Sequence, residues 1–344
     1  MERKCVDIGG QAVMEGVMMK SPKGIGIAVR RPNNKIVVSF QENPQKTENK
    51  WKQIPFIRGV INFASMMVMG IKILDKSSNM LGNTEETPSK FEVWLSKTLG
   101  KSVDKVVLGI ALVLAIVFSV FLFFMIPEGA AMLLRSAGMS RIVVDLCSGL
   151  VRILVLMGYM YAISFANDVK RTFMYHGAEH KTVYCYENNQ ELTPENAQQF
   201  SRLHPRCGTS FILIVFTISI VLFTLVGYHG SSYLLRLISR LALMPVVAGV
   251  SYEILKGLAH STGKLAKILR YPGLKLQLLT TKEPTLDMLE CAIVAMNVSM
   301  HGLPNTKKDA QGYVYLDNYK QSEPGYVFET SEESQNLDNS DINE

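Results

Sequence analysis

Residues 106–126 read VVLGIALVLAIVFSVFLFFMI, a run of 21 residues without a charge. Residues 208–228, GTSFILIVFTISIVLFTLVGY, form a second uncharged run of 21 residues. A helix of about 20 apolar residues is long enough to cross the hydrocarbon core of a bilayer. Two such runs favour membrane-spanning helices over buried core helices of a soluble protein. The sequence therefore predicts an α-helical membrane protein that is embedded in the lipid bilayer.

Four transmembrane helices are predicted in all. They cover residues 103–126, 142–167, 208–228 and 233–255, and Pro127 is expected to end the first of them. Charged side chains inside a span are costly unless they pair. We therefore expect Asp145 of the second span to form an ion pair with Arg236 and Arg240 of the fourth. Residues 54–74 are also apolar, but Arg58 and Lys72 interrupt them, which favours an interfacial or re-entrant helix over a span.

The basic residues predict the orientation of these spans. They concentrate before the first span, between the second and third, and after the fourth, whereas the two opposite loops hold only Arg135 and Arg141. By the positive-inside rule, both termini and the polar segment 168–207 face the cytosol. This distribution also accounts for the net charge of +6 without a nucleic-acid partner. Five cysteines without paired spacing favour reduced thiols, which agrees with cytosolic polar segments.

The remaining segments are polar or mixed. In residues 1–50, Ile25, Ile27 and Val29 alternate with other residues before a turn and a second alternating run, which predicts a β-hairpin in a cytosolic segment. An amphipathic cytosolic helix is predicted at 284–300, and the tail from 321 has seven acidic and no basic residues, which is typical of disorder. The predicted parts are therefore 1–50 (β-containing), 51–90 (interfacial helix and linker), 91–270 (membrane domain), 271–320 (helical) and 321–344 (disordered).

The segment between the second and third spans contains HGAEH at residues 176–180. On a helix, residues four apart share a face, so His176 and His180 can reach one metal ion. Glu179 lies beside them and can accept a proton from a water that the ion binds, as in the H-x-x-E-H pattern of inverted zinc peptidases. The alternative interpretation of Glu179 is an ion pair with Lys181 or Arg171.

Further ligand types come from two other segments. His204 and Cys207 precede the third span, and Glu253 lies near the cytosolic end of the fourth. Imidazole and thiolate together favour zinc, although other divalent metals bind the same donors. The predicted metal ligands are therefore His176, His180, His204, Cys207 and Glu253, with a salt bridge to Lys256 as the alternative for Glu253.

Several motifs in order resemble one known family. These are GGQAV at 9–13, EGVMM at 15–19, HGAEHK at 176–181, HPRCGTSF at 204–211 and LTTKEP at 279–284. They resemble the YqhQ-like family of bacterial membrane proteins over about residues 5–300. That family is described only loosely, as predicted metal-dependent enzymes. The resemblance implies a multi-pass protein of the bacterial plasma membrane and gives no substrate.

Three functions remain open on the sequence. The first is a membrane-embedded metal-dependent enzyme of hydrolase type, with Glu179 as the catalytic residue and the site at the cytosolic face. The second is a non-catalytic scaffold or assembly factor with a structural metal. The third is a transporter that uses the charged residues of the spans, which would require a homo-oligomer because four spans are few for one protomer.

Overall fold

A computed structural model of the chain describes residues 8–43, 54–82, 103–205, 207–226, 232–261 and 263–328. Most of this structure is helical, with one antiparallel sheet. The predicted linker after residue 82 and the acidic tail after residue 328 lie outside the described residues.

The sheet has five strands in the order of the sequence. They are β1 (Gly9–Val13), β2 (Gly16–Lys20), β3 (Gly24–Arg30), β4 (Ile36–Glu42) and β5 (Val314–Leu316). The predicted hairpin is confirmed as β3 and β4, with Ile27 opposite Ser39. Two further strands precede it, and β5 adds to β4 through the pair Val37–Tyr315. The N-terminal and C-terminal parts of the chain therefore build one sheet.

Ten helices complete the described structure. They are α1 (Ile57–Leu81), α2 (Val103–Val120), α3 (Ile126–Ser136), α4 (Arg141–Ile163), α5 (Asn167–Glu187), α6 (Pro194–Gln198), α7 (Thr209–Val226), α8 (Tyr233–His260), α9 (Lys264–Thr280) and α10 (Leu286–His301). A π-helical turn, Phe121–Met125, joins α2 to α3, and a 3₁₀ turn, Tyr319–Ser322, follows β5.

Four helices are long and apolar enough to cross a membrane by length and composition. They are Ile57–Leu81, Gly109–Ser136, Arg141–Ile163 and Leu234–Leu258. The number of candidate spans equals the predicted number, but only three of the four helices coincide with predicted spans. The third predicted span falls on α7, whose described apolar part, Phe211–Val226, belongs to the shorter apolar helices. The fourth member is instead α1, whose 25 residues are long and apolar enough to cross a membrane. The sequence predicted an interfacial or re-entrant helix for this segment.

Two predicted helix ends were wrong. The helix of the first predicted span continues past Pro127 to Ser136. Pro127 lies in the first turn of α3, where its missing N–H is tolerated, and the π-helical turn Phe121–Met125 comes directly before it. The second predicted span breaks at residues 164–166. The metal motif consequently lies on a separate helix, α5, and not on an extension of the span.

The two faces of the sheet bury different helices. One face packs against α5 and α10, with Val17, Tyr175 and Leu289 in a shared core. The other face packs against Ile73 and Met80, from the C-terminal part of α1. The C-terminal helix was predicted to be amphipathic, but in α10 all residues from Met288 to Ser299 except Glu290 are buried, because the helix lies between the sheet and its neighbours.

Candidate metal centre

Helix α5 carries the two motif histidines on one face. The His176 and His180 ring centroids are 4.5 Å apart, and His180 is only 1% exposed. The helix packs closely on the segment that follows α9, since Lys282 N–H donates to Phe173 O at 2.8 Å. Gly177 allows this approach, because a Cβ there would lie 2.2 Å from Lys282 O.

We therefore predict that Gly177→Ala destabilises the protein, by about 1–3 kcal/mol, because backbone would have to move to admit the methyl group. The measurement is the thermal unfolding midpoint of the purified protein in detergent. Gly158→Ala in α4 is the matched control, since nothing lies within 4 Å of a Cβ at that position. An unchanged midpoint for Gly177→Ala would contradict the close packing of α5.

Cys207 completes a group of three. It lies just before α7, and its Sγ is 3.3 Å from His176 Nε2. One ligand atom from each of His176, His180 and Cys207 lies within 4.8 Å of the other two. Thr209, in the first turn of α7, donates its N–H to the same Sγ at 3.4 Å. The sequence predicted that ligand-type residues of three segments converge, and the structure brings together residues of two of them, α5 and the loop before α7.

The two histidines have the same supporting contact. His176 Nδ1 lies 2.9 Å from Thr280 O at the end of α9, and His180 Nδ1 lies close to Arg202 O. A carbonyl is only an acceptor, so each Nδ1 carries a proton, and in the neutral imidazole each Nε2 then carries the lone pair that can bind a metal. Metal-binding histidines are typically oriented in this way. His180 Nε2 is buried and makes no hydrogen bond among the described residues, as expected of a ligand atom.

These three donors fit a divalent metal. Zinc binds imidazole nitrogen at about 2.0–2.1 Å and thiolate sulfur at about 2.3 Å, so ligand atoms around one ion lie roughly 3–4 Å apart. The contact between Cys207 Sγ and His176 Nε2 is already in that range. Two imidazoles and one thiolate leave a position open in a tetrahedral site, which is the pattern of catalytic rather than fully closed structural zinc.

Glu179 lies beside this group. Its Oε2 is 3.4 Å from His180 Nε2, and the residue is 6% exposed. Gly10 of β1 packs against it, since a Cβ on Gly10 would lie 2.5 Å from Glu179 Cγ. The ion pairs considered for Glu179 are made by other residues. Lys181 pairs with Glu283, and Arg171 pairs with Glu15.

His204 is next to the group but outside it. Its ring centroid is 5.7 Å from that of His180 and 4.4 Å from that of Tyr184, and its Nε2 is 3.6 Å from Glu187 Oε1. Its backbone N–H and carbonyl both bond to the side chain of Gln277, at 2.8 Å each. These two hydrogen bonds attach the His204 backbone to α9.

Glu253 is held elsewhere. Both of its carboxylate oxygens accept hydrogen bonds from the Arg58 guanidinium, which joins α8 to α1. The pairing is with Arg58 and not with Lys256, the partner considered from the sequence. The structure therefore does not bring Glu253 into the group of three ligand-type residues.

Other supporting contacts gave no signal in the sequence. The carbonyls of Thr280 and Arg202 act through the backbone, and Gln277 is an uncharged residue 73 positions from His204. Cys185, though five residues from His180, is a different case. Burial raises the pKa of its thiol to about 11, and its sulfur contacts Glu191 O at 3.4 Å, as a packed thiol does.

Comparison with known proteins identifies relatives. Residues 54–301 match the family model described as "Protein of unknown function (DUF1385)". The chain is 40% identical over 297 residues to "Uncharacterized protein YqhQ" of Bacillus subtilis (strain 168), which covers 84% of this chain and 91% of that protein. No solved structure matches the chain. The resemblance inferred from the motifs is thereby confirmed.

Proposed function

This chain belongs to the DUF1385 family of YqhQ-like proteins, and we propose that it is a membrane-embedded, metal-dependent enzyme of hydrolase type. One observation carries the proposal. His176, His180 and Cys207 offer three ligand atoms within 4.8 Å of one another, next to the buried carboxylate of Glu179. Zinc is the metal that this donor set favours.

Each residue has a separate role in this proposal. His176, His180 and Cys207 hold the ion, which when bound would acidify a water molecule and polarise the bond to be cleaved. Thr280 O and Arg202 O keep the two imidazoles in the required tautomer. Glu179 accepts the proton of the attacking water and returns it to the leaving group. His204 and Glu253 support the surrounding structure and are not ligands in this proposal.

The shared sheet supports the proposed orientation. Because β4 and β5 pair, both lie on the same side of any membrane that the chain crosses, so the number of crossings between them is even. Among the described residues, five apolar helices lie between these strands: α1, the continuous helix through α2 and α3, α4, α7 and α8. At least one of these five, and an odd number in all, must therefore not cross.

Helix α1 is the helix that we propose does not cross, since its C-terminal part packs on the sheet itself. The remaining four helices would then span a bacterial plasma membrane, with the sheet and the metal centre at the cytosolic face. The positive-inside distribution of Lys and Arg gives the same orientation. The substrate would reach the site from the membrane or from the cytosol; a homo-oligomer is compatible with this arrangement.

A second candidate function is structural. The burial of Glu179 under Gly10 favours it, because a site shielded in this way gives a substrate little access. In that case the ion would join α5 to the loop before α7, and the protein would act as a scaffold or assembly factor.

Glu179→Gln distinguishes the two functions. Glutamine keeps the size of the side chain but cannot accept the proton, so an enzyme should lose its cellular function by about 100-fold or more while the metal content is unchanged. The measurement is complementation of a deletion strain, with metal analysis of the purified variant. Glu283→Gln is the matched control. Its exposed carboxylate pairs with Lys181, which lies on α5 as Glu179 does. Full complementation by Glu179→Gln would favour the structural function.

A further inference from the structure

A second group of charged residues lies at the opposite end of the helix bundle. The metal centre is at the start of α7, whereas Arg141 donates to Thr224 O near the end of that helix, at 2.8 Å. The α-helix rises about 22 Å between Thr209 and Thr224, so the two ends are separated by about that distance. The second group therefore cannot take part in chemistry at the first.

One carboxylate, that of Glu128, forms ion pairs with three arginines. Glu128, at the start of α3, is 3% exposed. It accepts a hydrogen bond from Arg236, and its Oε1 is 3.1 Å from Arg135 Nη1. Its other oxygen is 3.4 Å from Arg240 Nη1. The expected contact of Arg236 and Arg240 with a carboxylate is present, but Glu128 of the first span makes it, where Asp145 was predicted.

Two of the arginines also share an aromatic ring. The guanidinium carbons of Arg152 and Arg240 are 6.0 Å and 5.8 Å from the ring centroid of Phe223. Arg240 is in addition 5.6 Å from the ring of Phe124. The aromatic rings thus hold two like charges close together in an apolar bundle.

The described members of this arginine cluster do not balance in charge. Its carboxylates are Glu128 and Asp145, and its guanidinium groups belong to Arg135, Arg141, Arg152, Arg236 and Arg240. Five positive and two negative charges leave an excess of three. Arg135 and Arg141 are exposed, but the buried and half-buried members, Arg152, Arg236 and Arg240, still outnumber the two carboxylates by one. An uncompensated charge in an apolar environment costs several kcal/mol, so an anion from outside the chain would be attracted.

We propose that the arginine cluster is a binding site for a phosphoryl group, and that it is separate from the proposed catalytic site. Arginine forks match the oxygen geometry of phosphate. Arg240 Nη1 is buried and makes no hydrogen bond among the described residues, so it has a donor to offer. The Arg135 and Arg141 side chains are 39% and 56% exposed, which gives an anion a route to the buried members.

Two sources supply this chemistry, namely the headgroup of an anionic phospholipid and free phosphate. The experiment titrates the full chain in detergent with phosphatidylglycerol, with phosphatidylcholine and with inorganic phosphate. Native mass spectrometry counts bound lipid, and the thermal unfolding midpoint reports phosphate binding. We expect at least about a tenfold preference for phosphatidylglycerol over phosphatidylcholine, because two or more charge-assisted hydrogen bonds are involved.

The variants test whether the cluster is responsible. Arg152→Gln with Arg240→Gln should remove the preference, and Arg141→Gln, at an exposed position that tolerates change, should weaken it about threefold. Glu128→Gln should strengthen binding, since it removes the carboxylate that competes with an external anion for the arginines. Arg171→Gln on α5 is the control, because that arginine pairs with Glu15 far from the cluster.

Each outcome decides the proposal. Lipid preference lost in the arginine variants supports a headgroup site. Stabilisation by inorganic phosphate without lipid preference, again lost in those variants, supports a site for the free anion. Equal binding of both lipids together with no effect of phosphate would overturn the proposal, as would weaker binding after Glu128→Gln. The metal content of every variant should equal that of the wild type, so failure here is distinguishable from failure of the metal site.

Discussion

Replacing His176 and His180 together with alanine is expected to reduce bound zinc from about one atom per chain to less than a tenth of that. Two of the three donors that converge within 4.8 Å would be lost, and a thiolate alone does not retain zinc against a chelator. The measurement is elemental analysis of the detergent-purified protein after a wash with chelator. Unchanged zinc in the double variant would rule out the proposed centre.

The controls separate loss of ligands from loss of fold. His301→Ala removes a histidine exposed at the end of α10 and should leave the zinc content unchanged. Cobalt substitution tests the third ligand, since a thiolate bound to Co²⁺ gives a charge-transfer absorption. Cys207→Ser should remove this band and Cys185→Ser should keep it, because the Cys185 thiol is packed against Glu191 O.

The second large effect is expected at Leu289, in the core shared by the two ends of the chain. Its side chain is fully buried among residues of the sheet, α5 and α10, so Leu289→Ala should cost about 2–5 kcal/mol of stability. Because the core is shared, the loss should extend to strands far away in sequence. We expect hydrogen exchange of β3 backbone amides to accelerate by about 30-fold or more.

The matched control is Leu286→Ala, in the first turn of the same helix. Leu286 is 48% exposed, so its replacement should change stability by less than about 0.5 kcal/mol. If β3 remains fully protected in Leu289→Ala, then the sheet is stable without α10, and the core that the sheet shares with α5 and α10 does not stabilise β3.

Sequence reasoning succeeded where one local pattern determines the structure. Alternation around Ile27 predicted the β3–β4 hairpin, and the four-residue spacing of His176 and His180 predicted a shared helix face. Topology alone suggested that Cys207 would meet them. These predictions needed only periodicity and the assumption that span ends lie at one face.

The predictions that differed from the structure depended on partners distant in the chain. Glu253 has the chemistry of a ligand, but Arg58, 195 residues away, binds both of its oxygens. The helix at 284–300 was predicted to be amphipathic, with one polar face, because nothing local in the sequence indicates that residues 9–42 build a sheet against it. Strand β5 has three residues and no pattern of its own, and it forms only because β4 offers an open edge.

The pairing of β5 with β4 has a consequence for biosynthesis. The first four strands leave the ribosome early, but their covering helix and last strand follow only after roughly 250 further residues. At 5–20 residues per second, that delay is about 12–50 s. During this interval the apolar face that will bury Val17 and Val38 is exposed next to the emerging membrane helices. We therefore expect the N-terminal strands to reach their final packing only when α10 and β5 have been synthesised.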